Sequence, residues 1–312
     1  MPNNLRLRGT NDITKVEVVG GLGNQLFCLA FAFQYAESNK LPVIAWTLNP
    51  DHETRSARAV GIEFGTFFTL SGNSVSFTPA LSYLRHLHSI RGSSRVIRYL
   101  LPKVLLNKKN RYSSPVLGTD HKALNLPSGK LIRGYFQSDF HASIGLSSGL
   151  KELMDKRLDR ISQGVDQKLD DMAQECIFLH IRGGDYLTHQ DSFGNLDDFY
   201  YTAALREVRN RVGAFKFLVS TDDPAHALKI LESLGLEASE YVLLNQHLNP
   251  LQVMSLARKC KAHIIANSSF SWWTAKLAVG SHLVICPQPW FKNLQNSDIY
   301  PKEWLKLAAN YD

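Results

Sequence analysis

Cysteine is scarce in this chain: four among 312 residues, Cys28, Cys176, Cys260 and Cys286, standing 148, 84 and 26 positions apart. With no CxxC pair, zinc ribbons, dithiol redox motifs and disulfide-dense scaffolds are excluded. Three of the four lie in strongly apolar segments and Cys260 ends a helical pattern. All four are therefore expected as small core residues in a reducing compartment. Long apolar runs are absent too. The most apolar stretch, Leu26 to Phe33, is far shorter than the roughly 20 residues that a bilayer span needs. The polar segment from Met1 to Thr14 has no apolar block of the kind found in a secretory leader. Both absences set the expectation of a cytoplasmic protein.

Acidic residues are missing from one region altogether. Between Glu63 and Asp120 there is none, while Arg85, Arg91, Arg95, Arg98, Lys103, Lys108, Lys109 and Arg111 supply eight positive charges. The formal charge is 35 − 28 = +7, so outside that window the balance is 27 − 28 = −1. Within the window, LSYLRHLHSIRGSSRVIRYLLPKVLL interleaves aliphatic and basic residues at roughly helical spacing. That pattern suits a solvated basic face, an anionic membrane surface or an acidic acceptor. No RNP, helix-turn-helix or zinc-finger pattern accompanies it, so nucleic acid is not an expected partner.

With 44% hydrophobic and 20% charged residues the composition is globular, and the length suggests about two domains, expected at 1–150 and 151–312. The first half opens with a short β-branched strand at Val16 to Val19, then GGLGNQ, then the helical run LFCLAFAFQYA and a second strand at Leu41 to Trp46. From Asp51 to Leu150 the pattern is weak. The second half is regular. Strands are expected at Cys176 to Ile181, Phe215 to Ser220, Tyr241 to Leu244, Ala262 to Ala266 and Leu283 to Cys286. Helices are expected at Asp198 to Val212, Pro224 to Leu234, Pro250 to Cys260 and Ser271 to Val279, with proline near helix starts and glycine past their ends. Continuously apolar strands alternating with helices predict an α/β fold with parallel sheets covered on both faces. Such sheets bind ligands at the carboxyl ends of their strands.

Chemistry-bearing residues follow the strands. After the first strand of the second half comes HIRGGDY. His180 and Arg182 alternate with apolar residues and so project to one side, and an arginine beside a glycine turn suits bidentate phosphate binding; a structural pair of Arg182 with Asp185 is the competing reading. Next come Thr221, Asp222, Asp223 and Pro224, where the carboxylates suit a metal, sugar or base donors, or a helix cap, and capping would explain only one of them. After the fourth strand come Asn267, Ser268, Ser269, Phe270, Ser271, Trp272 and Trp273, either a phosphate site at a helix N-terminus with an aromatic cover or an N-cap serine with core tryptophans. In the first half, Gly20, Gly21 and Gly23 fail the dinucleotide fingerprint, because Leu26 stands where a third glycine belongs, and GxxxxGK is absent. What remains is a glycine turn holding the amide pair Asn24 and Gln25 near a ligand. Jointly these loops suit a nucleotide diphosphate between two α/β domains. No DxD triplet occurs, the nearest approach being Asp51-His52-Glu53, so a divalent metal bridging the diphosphate is not expected.

GGLGNQLF, HIRGGDY, STDD and NSSFSWW, in that order from Gly20 to Trp273, resemble the four blocks of the bacterial α-1,2-fucosyltransferases, glycosyltransferase family 11. The resemblance implies a GT-B-type fold, two Rossmann-like domains facing across a cleft, and inverting, metal-independent transfer of fucose from GDP-fucose to a galactoside 2-OH. By the same resemblance Arg182 contacts the GDP phosphates, His180 and Asp222 lie near the guanosine, Ser268, Ser269 and Phe270 hold diphosphate and base, and Gly23 and Asn24 close the cleft from the first domain. The family usually carries a second arginine where this chain has Gly183, which leaves phosphate orientation to another cation. A base for the acceptor hydroxyl has candidates in Asp185, His189 and Asp191, with none required if the transition state is loose. The implied acceptor is a galactose-containing surface glycan under assembly. A lipid-diphosphate-linked oligosaccharide suits the basic segment, and so does peripheral contact with the inner, anionic face of a membrane. The alternatives are another nucleotide sugar on the same fold and a non-catalytic nucleotide- or glycan-binding protein.

Overall fold

A computed structural model describes residues 14–40, 43–46, 66–71, 74–79, 110–183, 194–213, 215–244, 247–280, 283–294 and 296–311. Most of the basic segment, Asp51-His52-Glu53, Asp185, His189 and Asp191 lie outside the described residues. The chain divides into two compact units, Met1–Lys151 and Glu152–Asp312. Both are α/β, the class expected from the pattern. Among the described residues no helix is long and apolar enough to cross a membrane.

In the first unit, β1 (Thr14–Glu17) runs parallel to β2 (Val43–Trp46) on one side and to β6 (Leu131–Arg133) on the other. Strand β5 (Arg111–Ser113) extends the sheet parallel to β6, while β3 (Thr66–Ser71) and β4 (Ser74–Pro79) add an antiparallel edge beyond β2. The sheet order is β4-β3-β2-β1-β6-β5. Helix α1 (Leu22–Asn39) is buried nearly all round from Leu22 to Ala36, as expected of a helix covered on more than one side. It begins four residues before the apolar run because Gly20, at φ +77°, turns the chain directly from strand to helix. Gly23, Asn24 and Gln25 therefore form the first helical turn, not a loop, which corrects the expected glycine turn. Gln25 is turned inward, and its Nε2 donates to the Gly20 carbonyl at 2.8 Å.

The weak stretch before residue 150 contains β5, β6, the single turn α2 (His121–Leu124) and α3 (Asp139–Gly145). Their brevity hid them: β5 and β6 have three residues each. Helix α3 is capped by Ser138, whose hydroxyl accepts from His141 N. Its His141 is buried against α1, with Nδ1 2.6 Å from Gln34 Oε1 and Nε2 accepting from Asp120 N at 3.0 Å. An Nε2 that accepts leaves the proton on Nδ1, so this imidazole is neutral and donates to Gln34.

In the second unit β7 (Ile177–Ile181), β8 (Phe217–Thr221), β9 (Tyr241–Leu243), β10 (Ala262–Ile264), β11 (Leu283–Gln288) and β12 (Leu305–Ala308) form one sheet, every neighbouring pair parallel, in the order β12-β11-β10-β7-β8-β9. The chain lays strands outward from β7 in one direction, then returns to lay β10 on its other side. All five residues of β7 are buried. Ile177, Leu179 and Ile181 pack with Tyr200, Tyr201 and Leu205 of α6 (Asp198–Arg211) and Leu231 of α7 (Pro224–Ser233). Phe178 packs on the opposite face with Leu218 and with Leu256 and Ala257 of α8 (Pro250–Ala257). Continuous apolarity along these strands thus follows from cover on both faces. Ahead of them, α4 (Lys151–Ser162) and α5 (Gln167–Ala173) are tied to the end of α8 by Arg258 to Asp155 at 3.0 Å and Lys259 to Asp170 at 2.6 Å. All four cysteines are buried and none is in a disulfide, as expected of core residues. Strand β12 is the one strand of this sheet that the pattern missed, because Leu305–Ala308 alternates half-buried with exposed residues at the edge.

Helices α1 and α3 approach closely at Gly145, where a Cβ would come within 2.4 Å of the Ala30 carbonyl oxygen. Gly145→Ala is expected to lower stability by about 1–3 kcal/mol. Gly164→Ala, whose Cβ would meet nothing nearer than 3.5 Å, serves as the control. Urea midpoints of the two variants check this, and equal midpoints would show that the helices separate without cost.

Candidate functional site

Three strand ends of the second unit meet because β10, β7 and β8 are immediate neighbours. His180 pairs in register with Ser220 and Ile181 with Thr221, while Leu179 pairs with Ile264 on the other side. The segments that follow carry His180, Arg182 and Gly183 from β7, Thr221, Asp222 and Asp223 from β8, and Asn267, Ser268, Ser269 and Phe270 from β10. The strand order reverses at β7, so these segments border the point where open α/β sheets form a crevice at their carboxyl ends.

Arg182 Nη1 lies 3.0 Å from Asp222 Oδ2, and the other oxygen of that carboxylate accepts from Gly183 N at 3.0 Å. Asp185, the arginine's partner in the competing reading, lies outside the described residues; the Asp222 carboxylate anchors the guanidinium and the glycine turn together. Asp223 has a separate task. Its Oδ1 accepts from His226 N at 3.1 Å, capping α7 ahead of Pro224, while Thr221 Oγ1 accepts from Asp223 N at 3.0 Å. One carboxylate caps and the other pairs, as a cap for only one of them requires.

A Cβ at Gly183 would fall 2.8 Å from Asp223 Cβ and 3.2 Å from His226 Cδ2. Glycine is thus matched to the seat of Asp223 on α7, and a larger side chain requires that turn to move. His226, a residue the sequence reading did not single out, fills the space beside Gly183.

On the other side of β7, the His180 ring stands 5.8 Å from that of Phe270 and stacks at 6.3 Å along Phe178. Burial first, then the positive charge of Arg182, pushes the His180 pKa down to about 3, so the imidazole is neutral at ordinary pH. Its Nδ1 has no hydrogen-bond partner among the described residues. Ser268 is the N-cap of α9 (Ser269–Lys276), yet its side chain makes no capping bond and the first turn holds no acidic residue. The first-turn amides of α9 accordingly have no side-chain cap, on the segment that follows β10, the neighbour of β7. Trp272 and Trp273 are core residues, fully buried, and Trp272 Nε1 donates to the Ile299 carbonyl. Asn267 is also fully buried, and its Nδ2 donates to the Gly194 carbonyl at 3.1 Å.

Two tyrosines that the sequence reading passed over hold these strand ends. Tyr201 OH donates to the His180 carbonyl at 3.2 Å, and Tyr200 OH donates to the Ile265 carbonyl at 2.6 Å. A phenol pair inside an apolar helical pattern was the available signal, since buried hydroxyls need partners. Gly21, Gly23, Asn24 and Gln25 belong to the first unit, at the start of α1, where Asn24 Oδ1 accepts from Gln137 Nε2 at 2.7 Å.

A doubly wound parallel sheet with a paired arginine and an uncapped helix start at its carboxyl edge defines an α/β unit of the ligand-binding kind. The chain belongs to glycosyl transferase family 11, whose model matches residues 13–308. It is 29% identical over 166 residues to an alpha-1,2-colitosyltransferase of Escherichia coli, covering 50% of this chain and 57% of that protein. It is 34% identical over 134 residues to the O-antigen biosynthesis glycosyltransferase WbnK of Escherichia coli, covering 41% and 43%. The chain spans about half the length of the curated relatives it matches. Among solved structures, the fucosyltransferase NodZ from Bradyrhizobium is similar at a TM-score of 0.44 and 14% identity, over 86% of this chain and 94% of that one.

The His180 pKa carries a pH signature. In the folded state it lies near 3, against 6.5 for an unperturbed histidine. The unfolded chain therefore binds a proton across that interval that the folded chain refuses. The contribution is complete above pH 6.5 and is lost as pH falls toward 3. The slope of unfolding free energy against pH between 6 and 4 is expected to be shallower in His180→Gln than in the parent, by up to about 1.4 kcal/mol per pH unit. Denaturant titrations at several pH values measure it, and identical slopes would mean that His180 takes up its proton in the folded state.

Proposed function

We propose that the protein is an inverting, metal-independent glycosyltransferase that moves fucose from GDP-fucose to a galactoside 2-OH in a surface glycan. The observation that carries this reading is the convergence of Arg182, held by Asp222, and the uncapped start of α9 on the edge where the strand order reverses. Membership of the family and relatives whose names include an α-1,2-transferase and an O-antigen glycosyltransferase support it.

In this reading negative charge grows on the departing GDP as the sugar becomes oxocarbenium-like. Arg182 and the first-turn amides of α9 stabilise it in place of a metal. Asp222 keeps the guanidinium oriented, and Asp223 keeps α7 seated beside it. Neutral His180 and Phe270 offer flat apolar surface and a hydrogen-bonding nitrogen to guanosine. At a pKa near 3 His180 is a poor general base, so proton removal from the acceptor falls to Asp185 or to solvent. Asn267 acts by holding Gly194. Gly21, Gly23, Asn24 and Gln25, at the start of α1, are the ligand-binding candidates of the first unit. The protein works in the cytoplasm, peripheral to the inner membrane face. Co-sedimentation with anionic liposomes at pH 7 is the expected sign of that contact, and its absence removes the membrane part.

The name of the colitosyltransferase relative favours a second reading, transfer of colitose by the same machinery. Thermal unfolding with GDP, UDP and GDP-fucose, each with and without EDTA, tests the donor class. Guanine ligands at 100 times their Kd are expected to add about 2.7 kcal/mol, with UDP silent and EDTA without effect. Arg182→Ala is expected to lower transfer about 10²-fold or more. A shift with GDP but not GDP-fucose would favour the second reading. An EDTA-sensitive shift or an active Arg182→Ala would overturn the mechanism.

A further inference from the structure

The segment that follows β12 lies at the carboxyl edge of the second sheet and carries Tyr311 there. Ala309, buried, continues the pairing beyond β12, its N donating to the Gln288 carbonyl at 3.0 Å. Two residues on, Tyr311 forms an antiparallel bridge with Leu196, just ahead of α6. Its hydroxyl donates to the carbonyls of Pro289 and Trp290, the latter at 3.0 Å. The residue is thus fastened at its phenol to the segment after β11 and at its backbone to the chain entering α6.

Between those anchors the Tyr311 side chain lies directly on Gly194. A Cβ at Gly194 would fall 2.6 Å from Tyr311 Cδ1 and 2.7 Å from Tyr311 Cβ and Cγ, and Gly194 stands at φ +71°, so the contact and the backbone both call for glycine. The Gly194 carbonyl accepts from Asn267 Nδ2 at 3.1 Å. Asn267 is fully buried, and the next residue, Ser268, is the N-cap of α9. A ring, a glycine and a buried amide therefore run in unbroken contact from Tyr311 to the start of α9. The ends of β10 and β11 themselves are held by Tyr200, whose hydroxyl bonds to the carbonyls of Ile265 and Ile285. What Tyr311 adds is the seat of Gly194, and through it that of Asn267.

We propose that Tyr311 is a positioning residue for the nucleotide site, setting the first turn of α9 through Gly194 and Asn267. This rests on the glycosyl-transfer reading, in which the first-turn amides of α9 meet the departing diphosphate.

Backbone amide NMR of the ligand-free full chain, with calorimetric titration of GDP, tests it on the parent, Tyr311→Phe, Tyr311→Ala and Gly194→Ala. The last variant reaches the same contact from its other side, should Tyr311→Ala fail to fold. The Ser269 and Phe270 amide resonances are expected to move in Tyr311→Ala and Gly194→Ala and to stay in place in Tyr311→Phe, which keeps the ring on Gly194. The Gly183 amide, bonded to Asp222, is expected at the same position in all four proteins. The Kd for GDP is expected to rise about ten-fold in the two displaced variants, the worth of one hydrogen bond to a charged phosphate, and by less than about two-fold in Tyr311→Phe. Unmoved Ser269 and Phe270 amides in the displaced variants overturn the positioning role, and so do moved amides with an unchanged Kd. A parent that fails to bind GDP brings down the donor reading instead, and the amide resonances then decide by themselves whether Tyr311 sets α9.

Discussion

Burial of β7 on both of its faces is the constraint on which the second unit depends. Ile177, Leu179 and Ile181 are committed to α6 and α7, and Phe178 to α8. This leaves the strand no freedom to slip by one residue without exchanging its two sets of partners. His180 consequently stays on the Phe178 side, facing Phe270, and Arg182 emerges at the end of a strand whose register with β8 brings it to Asp222. The depressed His180 pKa is a consequence of the same packing. An imidazole placed by the strand's alternation between two aromatic rings has lost its water, and the neighbouring guanidinium adds to the cost of protonation.

Asp222 shows how one carboxylate makes the turn after β7 specific. It spans the Arg182 side chain and the Gly183 amide, so the guanidinium and the backbone that carries it move together. Asp223, one residue on, is spent on the α7 cap, and its seat excludes a side chain at residue 183. The absence of a second arginine there is thus part of a local arrangement in which Gly183, Asp223 and His226 share one space.

The first unit relies on a different device. Helix α1 is covered so completely that its polar residues find partners inside: Gln34 bonds with His141, and Gln25 with the carbonyl of Gly20. Phe136, at φ +52°, is held there by stacking on Phe31 of the same helix.

Much of the second unit was legible in its sequence. Apolar runs such as Ile177–Ile181, glycines past helix ends, and Asp or Asn ahead of Pro224 and Pro250 act over a few neighbouring residues, and local composition determined the alternation of strand and helix and hence the class of fold. It also located the strand-end loops that carry His180, Arg182, Asp222 and Phe270. What it left open was set at long range. Strand order, which makes β10 rather than β9 the second neighbour of β7, the choice of Asp222 as the arginine's partner, and the Asn24–Gln137 bond across 113 positions arise from contacts between residues far apart in the chain. Three-residue strands such as β5 and β6 bury too little to leave a period in the sequence. The sequence by itself determined which residues could meet a ligand. The tertiary structure decided which of them stand together, because hydrogen bonds and ion pairs act only over the few ångströms that folding closes.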